Sequence, residues 1–210
     1  MAYDAARERV VLFGGLGATR QSDTWEWDGH VWQQVIVSGP GARSAHAMAY
    51  DALRARVVFF GGDGDSGGQL SDTWEWNGSS WLQAASTGPS ARSGHALVYD
   101  SARQRVMLMG GYSTGFGCSA ETWEWSGDSW TLTEASGPSA RAVAAATFDA
   151  ARGRVVLFGG DPCTSQPVND TWLRSSYPNQ SVCPEDIISD GTINTLDLGA
   201  LLSRFGQHCP

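Results

Sequence analysis

A segment in which an acidic residue and a threonine precede a tryptophan occurs four times at regular intervals along the chain. Each of these tryptophans lies 49 residues from the next, and an apolar run closed by two glycines precedes every one of them. A period near this length is typical of arrays of small β-sheets. Because a single unit cannot bury its own apolar faces, adjacent units have to stack against one another. The four tryptophans are Trp25, Trp74, Trp123 and Trp172.

The second repeat shows the first half of the unit most clearly. Residues 44–51 alternate small and large side chains, which predicts a β-strand. Residues 56–60 open with arginine and continue as an apolar run, as expected of a strand buried on both faces. The pair Gly61 and Gly62 is expected to end this strand where one backbone approaches another closely. The glycine-rich residues 63–70 are predicted to form a loop.

The second half of the unit carries the aromatic residues. Residues 72–76 alternate, so Thr73 and Glu75 are expected on one face of a strand and the two tryptophans on the other. The dipeptide Asn-Gly that follows is a strong signal for a tight hairpin turn. Residues 80–85 predict a fourth strand, which carries another tryptophan. Four antiparallel strands joined by short turns make one blade of a β-propeller.

The order of these features resembles the kelch repeat family, in which a double glycine follows an apolar strand and an aromatic strand and a second tryptophan come after it. The resemblance covers about residues 1–174. It implies an all-β propeller that most often serves as a binding scaffold and less often as part of an oxidase. We expect four blades, of which the first and last are incomplete, at about residues 1–37, 43–86, 92–135 and 141–174.

Both ends of the array are expected to be incomplete. The chain begins halfway through a first strand, because residues 1–4 match residues 48–51. The fourth repeat reaches Trp172 but lacks a counterpart of the second tryptophan of the other blades, and hence its fourth strand. Two interpretations stay open: an open or truncated ring with further blades and a leader upstream, or a small ring of four. The second tryptophans of the other blades are Trp32, Trp81 and Trp130.

Arginine recurs at two positions of the repeat. One series follows a Gly-Pro pair just before the first strand and comprises Arg43, Arg92 and Arg141. These guanidinium groups either form a ring that binds an anion near the central channel, or bond loop carbonyls of the neighbouring blade and lock the blades together. Recurrence in every unit favours the structural role. The same role is expected of the series that opens the buried strands: Arg9, Arg56, Arg105 and Arg154.

Glutamates between the paired tryptophans are the first candidates for catalysis, because paired carboxylates perform acid and base chemistry on sugars. Each comes from an equivalent place in a different blade, however, and no second acid stands out. A solvent-facing position on the strand is therefore the favoured interpretation. Stacking of the tryptophans on sugars is likewise a weaker interpretation than packing within blades. The glutamates are Glu26, Glu75 and Glu124.

The histidines do not form a recognisable metal set. His46 and His95 occupy equivalent positions, and Ala144 takes that place in the third repeat. A copper site of the kind found in kelch-like oxidases needs convergent histidine and tyrosine ligands, and the sequence shows no such set. It also shows no Gly-x-Ser-x-Gly elbow and no phosphate-binding loop. Enzymatic activity is therefore left undecided, with a non-catalytic role favoured.

Four cysteines permit three pairings. Cys118 and Cys163 lie in the same type of loop in consecutive repeats, whereas Cys183 and Cys209 bracket the last segment. We expect these two pairs to form disulfides, and free thiols are the alternative. Disulfides indicate an oxidising, extracytoplasmic compartment. The N-terminus shows no basic region followed by an apolar core, so no signal peptide is visible in this chain.

After a linker at residues 175–182, the composition changes at residue 183. Residues 186–197 fit a twelve-residue calcium loop, with acids at positions 1, 5 and 12, glycine at 6 and asparagine at 9. Apolar residues at helical spacing follow and predict a short amphipathic helix. Residues 183–210 resemble a dockerin repeat, the calcium-binding tail by which some secreted bacterial proteins attach to a cohesin partner.

The resemblance implies a set of calcium ligands: the side chains of Asp186, Asp190, Asn194 and Asp197 and the carbonyl of Thr192. Ile188 stands at position 3, where an oxygen donor is expected, and a dockerin has two such loops where this segment shows one. Both departures imply reduced affinity for calcium and leave cohesin binding in question. A disulfide-clamped cap without metal is the alternative.

Charge and hydropathy exclude two classes of partner. The net charge is −8, all 14 basic side chains are arginine, and no basic cluster exists to follow a phosphate backbone, so we expect no binding to nucleic acid. No apolar stretch approaches the roughly 20 residues that cross a bilayer. Loops such as residues 63–70 and 112–120 are where ligand choice is expected, although they carry no recognisable code.

Two functions follow from these features. The first is a secreted, extracellular or cell-surface bacterial protein that is not catalytic, in which a kelch propeller binds a protein or glycan and is displayed through the calcium-binding tail. The second is part of an extracellular enzyme of polysaccharide degradation whose catalytic part is missing from this chain, because dockerin-like tails commonly accompany such enzymes.

Overall fold

In the described part of this protein, four of the five antiparallel sheets are arranged as the blades of a β-propeller, as the repeat predicted. The computed structural model describes residues 1–134, 137–164 and 166–175. No helix occurs among these residues, and so none of them belongs to a helix that could span a membrane. The chain divides into two units, Met1–Ser176 and Tyr177–Pro210, and the second lies outside the described residues.

The first two blades run from the N-terminus to residue 85. In blade 1 the strands pair in chain order as β1 (Ala2–Asp4), β2 (Arg9–Leu16), β3 (Arg20–Trp27) and β4 (Trp32–Val35). Blade 2 contains, in chain order, β5 (Arg43–Ser44), β6 (Ala47–Asp51), β7 (Arg56–Gly64), β8 (Gln69–Trp76) and β9 (Trp81–Ala85). The two short strands β5 and β6 both pair with β7.

Blades 3 and 4 repeat the arrangement with one addition and one difference. The sheet of blade 3 contains β10 (Ala96–Asp100), β11 (Arg105–Met109), β14 (Thr122–Trp125) and β15 (Trp130–Glu134). A small hairpin, β12 (Tyr112–Ser113) and β13 (Gly117–Cys118), is inserted between β11 and β14. Within the described residues blade 4 has three strands, β16 (Ala145–Asp149), β17 (Arg154–Phe158) and β18 (Thr171–Ser175).

The turn after the first strand of each blade is fixed by an aspartate. In blade 2, Oδ1 of Asp51 accepts hydrogen bonds from the backbone N–H groups of Leu53 and Arg54. The next residue, Ala55, adopts a left-handed conformation with φ of 51°, and Gly153 takes the same place in blade 4 with φ of 58°. Short polar side chains that bond the backbone two residues on are typical of such turns.

The core lies between the blades. Val57, Val58, Phe59 and Phe60 are all fully buried, which confirms the prediction of a strand covered on both faces. Because successive side chains of a strand alternate, Val57 and Phe59 pack against blade 1 whereas Val58 and Phe60 pack against blade 3. Burial of one such side chain contributes roughly 2 kcal/mol, so the stacking of neighbours is what stabilises each sheet.

Two details of the predicted strands differ in the structure. Residues 44–51 form two strands, because Ala45 adopts φ of 55° and breaks the run between Ser44 and Ala47. In blade 2 the glycine pair does not end its strand: β7 continues to Gly64 past an irregularity in the pairing with β8. The expected close approach is confirmed, since a Cβ added to Gly61 would lie 2.7 Å from the carbonyl oxygen of Arg92 in the next blade.

Candidate functional site

The most variable part of the repeat is the connection between the second and third strands of the sheet. Because the blades share one strand order, these connections emerge at the same end of the array. We call residues 17–19, 65–68, 110–121, 159–164 and 166–170 the loop surface. The connections differ in sequence, and the one in blade 3 contains its own hairpin, whereas the sheets beneath them repeat closely. Variable loops on a repeated scaffold are the usual place for recognition.

Contacts between blades tie three of these loops together. The backbone N–H of Thr114 donates to Oε1 of Gln69, at the end of the loop of blade 2, at 3.0 Å. A disulfide joins Cys118 in the loop of blade 3 to Cys163 in the loop of blade 4, with the two Cα atoms 5.8 Å apart. This bridge confirms the pairing predicted from the repeat. Loops held in this way lose little further entropy when they bind a ligand.

Apolar side chains stand out from the loop surface and its margin. Phe116, at the tip of the inserted hairpin, is 87% exposed, and Leu16, at the end of β2, is 71% exposed. Tyr112 at the base of the hairpin is partly exposed as well. Exposed aromatic rings offer a flat face to a sugar ring or to an apolar side chain. Sequence reasoning located this loop but not Phe116, because nothing in the sequence shows that its ring is uncovered.

The arginines before the first strands are structural. Arg43 donates to the carbonyl of Gly61 at 3.1 Å and, through two nitrogens, to the carboxylate of Asp72 at 2.6 and 2.9 Å. Arg92 and Arg141 make the equivalent contacts in blades 3 and 4. All three side chains are almost fully buried. They are occupied in this way and do not form an anion-binding ring.

The prediction that these arginines bond the neighbouring blade needs correction. Gly61 and Asp72 belong to the same blade as Arg43, so each guanidinium closes its own blade. The link to the next blade runs instead through the backbone, where Gly62 N–H donates to the carbonyl of Arg92 at 2.9 Å. The hydrogen bonds from Arg141 lower the pKa of Asp170 to about 2, so this carboxylate is ionised at neutral pH.

The second arginine series also makes a different contact from the one expected. Arg9, Arg56 and Arg105 are half-buried and each donate to the carbonyl of the preceding residue. Arg154 forms an ion pair with Asp149 of its own blade at 3.6 Å. These short local contacts do not connect one blade to another.

The prediction that the glutamates between the tryptophans face solvent is wrong. Glu75 and Glu124 are buried. Oε1 of Glu26 accepts a hydrogen bond from the indole Nε1 of Trp76 in the next blade at 3.0 Å, and Glu75 does the same with Trp125. These carboxylates therefore connect successive blades, and burial raises the pKa of Glu75 above its ordinary value.

In blades 2 and 3 the second tryptophan sits in a socket at the interface with the preceding blade. Nε1 of Trp81 donates to Oγ1 of Thr24 at 2.9 Å, and Nε1 of Trp130 donates to Oγ1 of Thr73 at 2.7 Å. A glycine faces each ring: a Cβ at Gly39 would lie 2.7 Å from Cδ1 of Trp81. No signal in a single repeat shows this pairing, because the threonine and the tryptophan are 57 residues apart.

The corresponding socket between blades 3 and 4 is a cavity of about 250 Å³. The residues that line it include the equivalents of those around Trp81 and Trp130: Met109, Thr122, Gly137, Leu157 and Arg174. In the sequence the residue at the equivalent of the second tryptophan is Asn179, which lies outside the described residues. The prediction that the fourth repeat lacks its fourth strand likewise concerns a segment outside the described residues.

His46 and His95 are packed as apolar rings. His46 lies against Phe13 and Phe59 with ring centroids 5.8 and 5.1 Å apart, and His95 lies against Phe60 at 5.5 Å. Burial lowers the pKa of both imidazoles to about 3, so they are neutral. Among residues 1–134, 137–164 and 166–175 no group of three potential metal ligands occurs.

The predicted calcium ligands lie outside the described residues, as do Cys183 and Cys209. The ligands are Asp186, Asp190, Thr192, Asn194 and Asp197. Their assignment, like the amphipathic helix and the second disulfide, stays a prediction.

Comparison with known proteins supports the fold and no more. No family model matches the chain, and no curated protein matches it. The solved structure of YjhT, a propeller-type protein, is similar with a TM-score of 0.61 and 14% sequence identity. The similarity covers 76% of this chain and 51% of YjhT, so the chain spans about half the length of that protein. Similarity at this level of identity shows the β-propeller fold alone.

Proposed function

We propose that this protein is a non-catalytic binding protein whose loop surface recognises a protein or glycan. The observation that carries the proposal is the set of ties between loops of different blades, the Gln69–Thr114 hydrogen bond and the Cys118–Cys163 disulfide. Neither contact belongs to the repeated framework. A rigid, variable surface on an invariant scaffold suits recognition, and the propeller fold supports a binding or scaffold role.

The propeller itself is best described as kelch-type. The order of glycine pair, aromatic strand and second tryptophan supports this proposal, and so does the common set of contacts those residues make in the complete blades. We propose the organisation that the sequence suggested: a propeller at residues 1–174, a linker at 175–182 and a dockerin-like half-module at 183–210.

Phe116 is the residue that we expect to make the main contact with the ligand. Loss of a central aromatic contact weakens binding by about tenfold or more. The purified full chain is tested against a glycan array and soluble xylan, pectin and mixed-linkage glucan, and its protein ligands are tested by cross-linking from the surface of bacterial cells. The variant Phe116→Ala is compared with Leu82→Ala, since Leu82 is 64% exposed on a strand far from the loops.

Phe116→Ala is expected to weaken binding of the ligand, and Leu82→Ala is expected to leave binding unchanged. Equal effects of the two substitutions, or binding that neither changes, would place recognition elsewhere and refute the assignment of the loop surface.

The tail is proposed to bind calcium through Asp186, Asp190, Thr192, Asn194 and Asp197 and to attach the propeller to a cohesin-like partner at an extracellular or cell-surface site. The spacing of the oxygen donors supports the metal, and the Cys118–Cys163 disulfide supports an oxidising compartment. Calcium is expected to raise the melting temperature of the full chain, and Asp190→Ala is expected to abolish the rise. A melting temperature that does not respond to calcium contradicts the assignment.

The second candidate is part of an extracellular enzyme of polysaccharide degradation. It rests on the dockerin-like spacing of the tail together with the exposed ring of Phe116. Turnover of a polysaccharide by the purified chain, lost when one loop residue is replaced, would favour this function over the binding protein.

A further inference from the structure

Two faces of the array have no blade packed against them in the described part of the chain. We call the side of a blade that faces the preceding blade its leading face, and the opposite side its trailing face. On the leading face of blade 1, Tyr3 is 55% exposed and Trp32 39% exposed. On the trailing face of blade 4, Phe158 is 52% exposed, whereas its equivalents Phe13 and Phe60 are buried.

The interface of blades 1 and 2 and that of blades 2 and 3 use the same kinds of contact. At the interface of blades 1 and 2, Nε1 of Trp81 donates to Oγ1 of Thr24, and the rings of Trp81 and Phe13 meet edge to face at 5.3 Å. At the interface of blades 2 and 3, the hydroxyl of Tyr99 accepts from the backbone N–H of Leu53 at 3.2 Å. A leading face therefore supplies tryptophan and tyrosine, and a trailing face supplies phenylalanine, threonine and a turn.

The two exposed faces carry the missing halves of one such interface. On the leading face of blade 1, Trp32 corresponds to Trp81 and Tyr3 to Tyr99. On the trailing face of blade 4 the counterparts of Phe13, Thr24 and Leu53 are Phe158, Thr171 and Ala151.

The geometry of the leading face is already formed. The rings of Trp27 and Trp32 are 5.7 Å apart and tilted by 43°, close to the 5.2 Å and 41° of Trp76 and Trp81 inside the array. Trp32 is thus packed against Trp27 much as Trp81 is packed against Trp76, so binding would require little reorganisation of this pair.

One pair does not match. Leu173 occupies the place of Glu26 and Glu75, which accept the indole N–H of the next blade. An interface between the two exposed faces would leave Trp27 without this acceptor, and so it would be weaker than the interfaces inside the array.

We propose that two copies of this chain associate head to tail, with the trailing face of blade 4 of one copy packed on the leading face of blade 1 of the other. A second copy is the occupant that the contacts favour, because the chain itself carries the complement of each exposed face. Such a heterologous contact uses two different surfaces, and two copies close into a ring if both contacts form.

The mass of the full chain is measured by light scattering as a function of concentration. Tyr3→Asp disables the leading face, Phe158→Asp disables the trailing face, and Leu82→Asp, on an exposed position of blade 2, is the control. Melting temperatures establish that each variant is folded. The wild type and the control are expected to associate, and each face variant alone is expected to lose the closed pair.

A mixture of the Tyr3→Asp and Phe158→Asp variants retains one intact interface, so the two proteins are expected to form a heterodimer. Leu173→Glu restores the acceptor for Trp27 and is expected to tighten association about tenfold, the effect of one buried charge-assisted hydrogen bond. A wild-type chain that is monomeric at every concentration overturns the proposal. Association that the face variants do not weaken, or a mixture that does not associate, overturns it as well.

Discussion

Replacement of Thr24 by valine tests whether the threonine–indole hydrogen bond holds adjacent blades together. Thr24 is 2% exposed, and its hydroxyl accepts from Trp81, which is 8% exposed, at 2.9 Å. Valine has nearly the shape of threonine but no acceptor. The substitution therefore leaves a buried indole N–H without a partner while the packing stays almost the same.

The expected cost is about 2 kcal/mol, because an unpaired buried donor loses roughly 1–3 kcal/mol. For a chain of this size, a loss of about 2 kcal/mol lowers the melting temperature by about 4–8 °C. Thr24→Ser keeps the hydroxyl and removes one methyl group, so its expected cost is about 1 kcal/mol. The order of stability is therefore wild type, serine variant and valine variant.

The chain supplies a matched control in Thr122, which is 1% exposed and occupies the equivalent place at the cavity between blades 3 and 4. No tryptophan of the described residues donates to its hydroxyl. Thr122→Val is expected to change the free energy of unfolding by less than about 0.5 kcal/mol. The measurement is urea denaturation followed by tryptophan fluorescence. If Thr122→Val destabilises the protein as much as Thr24→Val, the hydrogen bond is not the cause and the reasoning is refuted.

Three further predictions concern the interfaces and the loop surface. Gly39→Ala is expected to destabilise the protein by about 1–3 kcal/mol, because the added methyl group meets Trp81 at 2.7 Å. At the equivalent Gly137 an added methyl group meets nothing closer than 3.4 Å, so Gly137→Ala is expected to be neutral or stabilising by about 0.5 kcal/mol. Equal losses of stability in urea denaturation would contradict this prediction. Burial raises the pKa of Glu75 above its ordinary value of 4.5, so the folded state binds this proton more tightly than the unfolded state does. The free energy of unfolding therefore falls as pH rises from the unfolded pKa through the raised folded pKa. Glu75→Gln removes this dependence, and its stability relative to the wild type should increase with pH; a pH-independent difference in urea midpoints would argue against a buried carboxylate. Cys118→Ala opens a disulfide with a sequence separation of 45 and is expected to lower the free energy of unfolding by about 4 kcal/mol, and an unchanged melting temperature under oxidising conditions would contradict the bridge.

The repeat predicted the strands well because each strand is defined by neighbours in sequence. The buried run at residues 57–60 and the alternation at residues 72–76 follow from a period of two side chains, and both form strands. The break at Ala45 was not predictable, since its φ of 55° is imposed by backbone contacts with the next blade, where Gly94 N–H donates to the carbonyl of Ala45.

The candidate site was predicted only in outline. Cys118 and Cys163 lie in the same type of loop in consecutive repeats, and this predicted the disulfide because corresponding loops of adjacent blades lie side by side. The roles of Glu75 and Arg43 were wrong or incomplete for the opposite reason. Alternation along a strand shows which face of the sheet a side chain occupies. In a propeller both faces are covered by neighbouring blades, and the sequence does not show which residue the side chain contacts on either face.

Periodicity by itself thus determined the blade as the repeated unit, the order of its strands and the apolar residues of its buried strand, because these depend on short-range alternation repeated along the chain. Only the tertiary structure decided which of the described side chains bond across blades, which of them stay exposed on the loop surface and at the two end faces, and where a cavity lies between blades 3 and 4. These properties depend on residues about 50 positions apart that meet only when blades stack, and no local pattern encodes such distances.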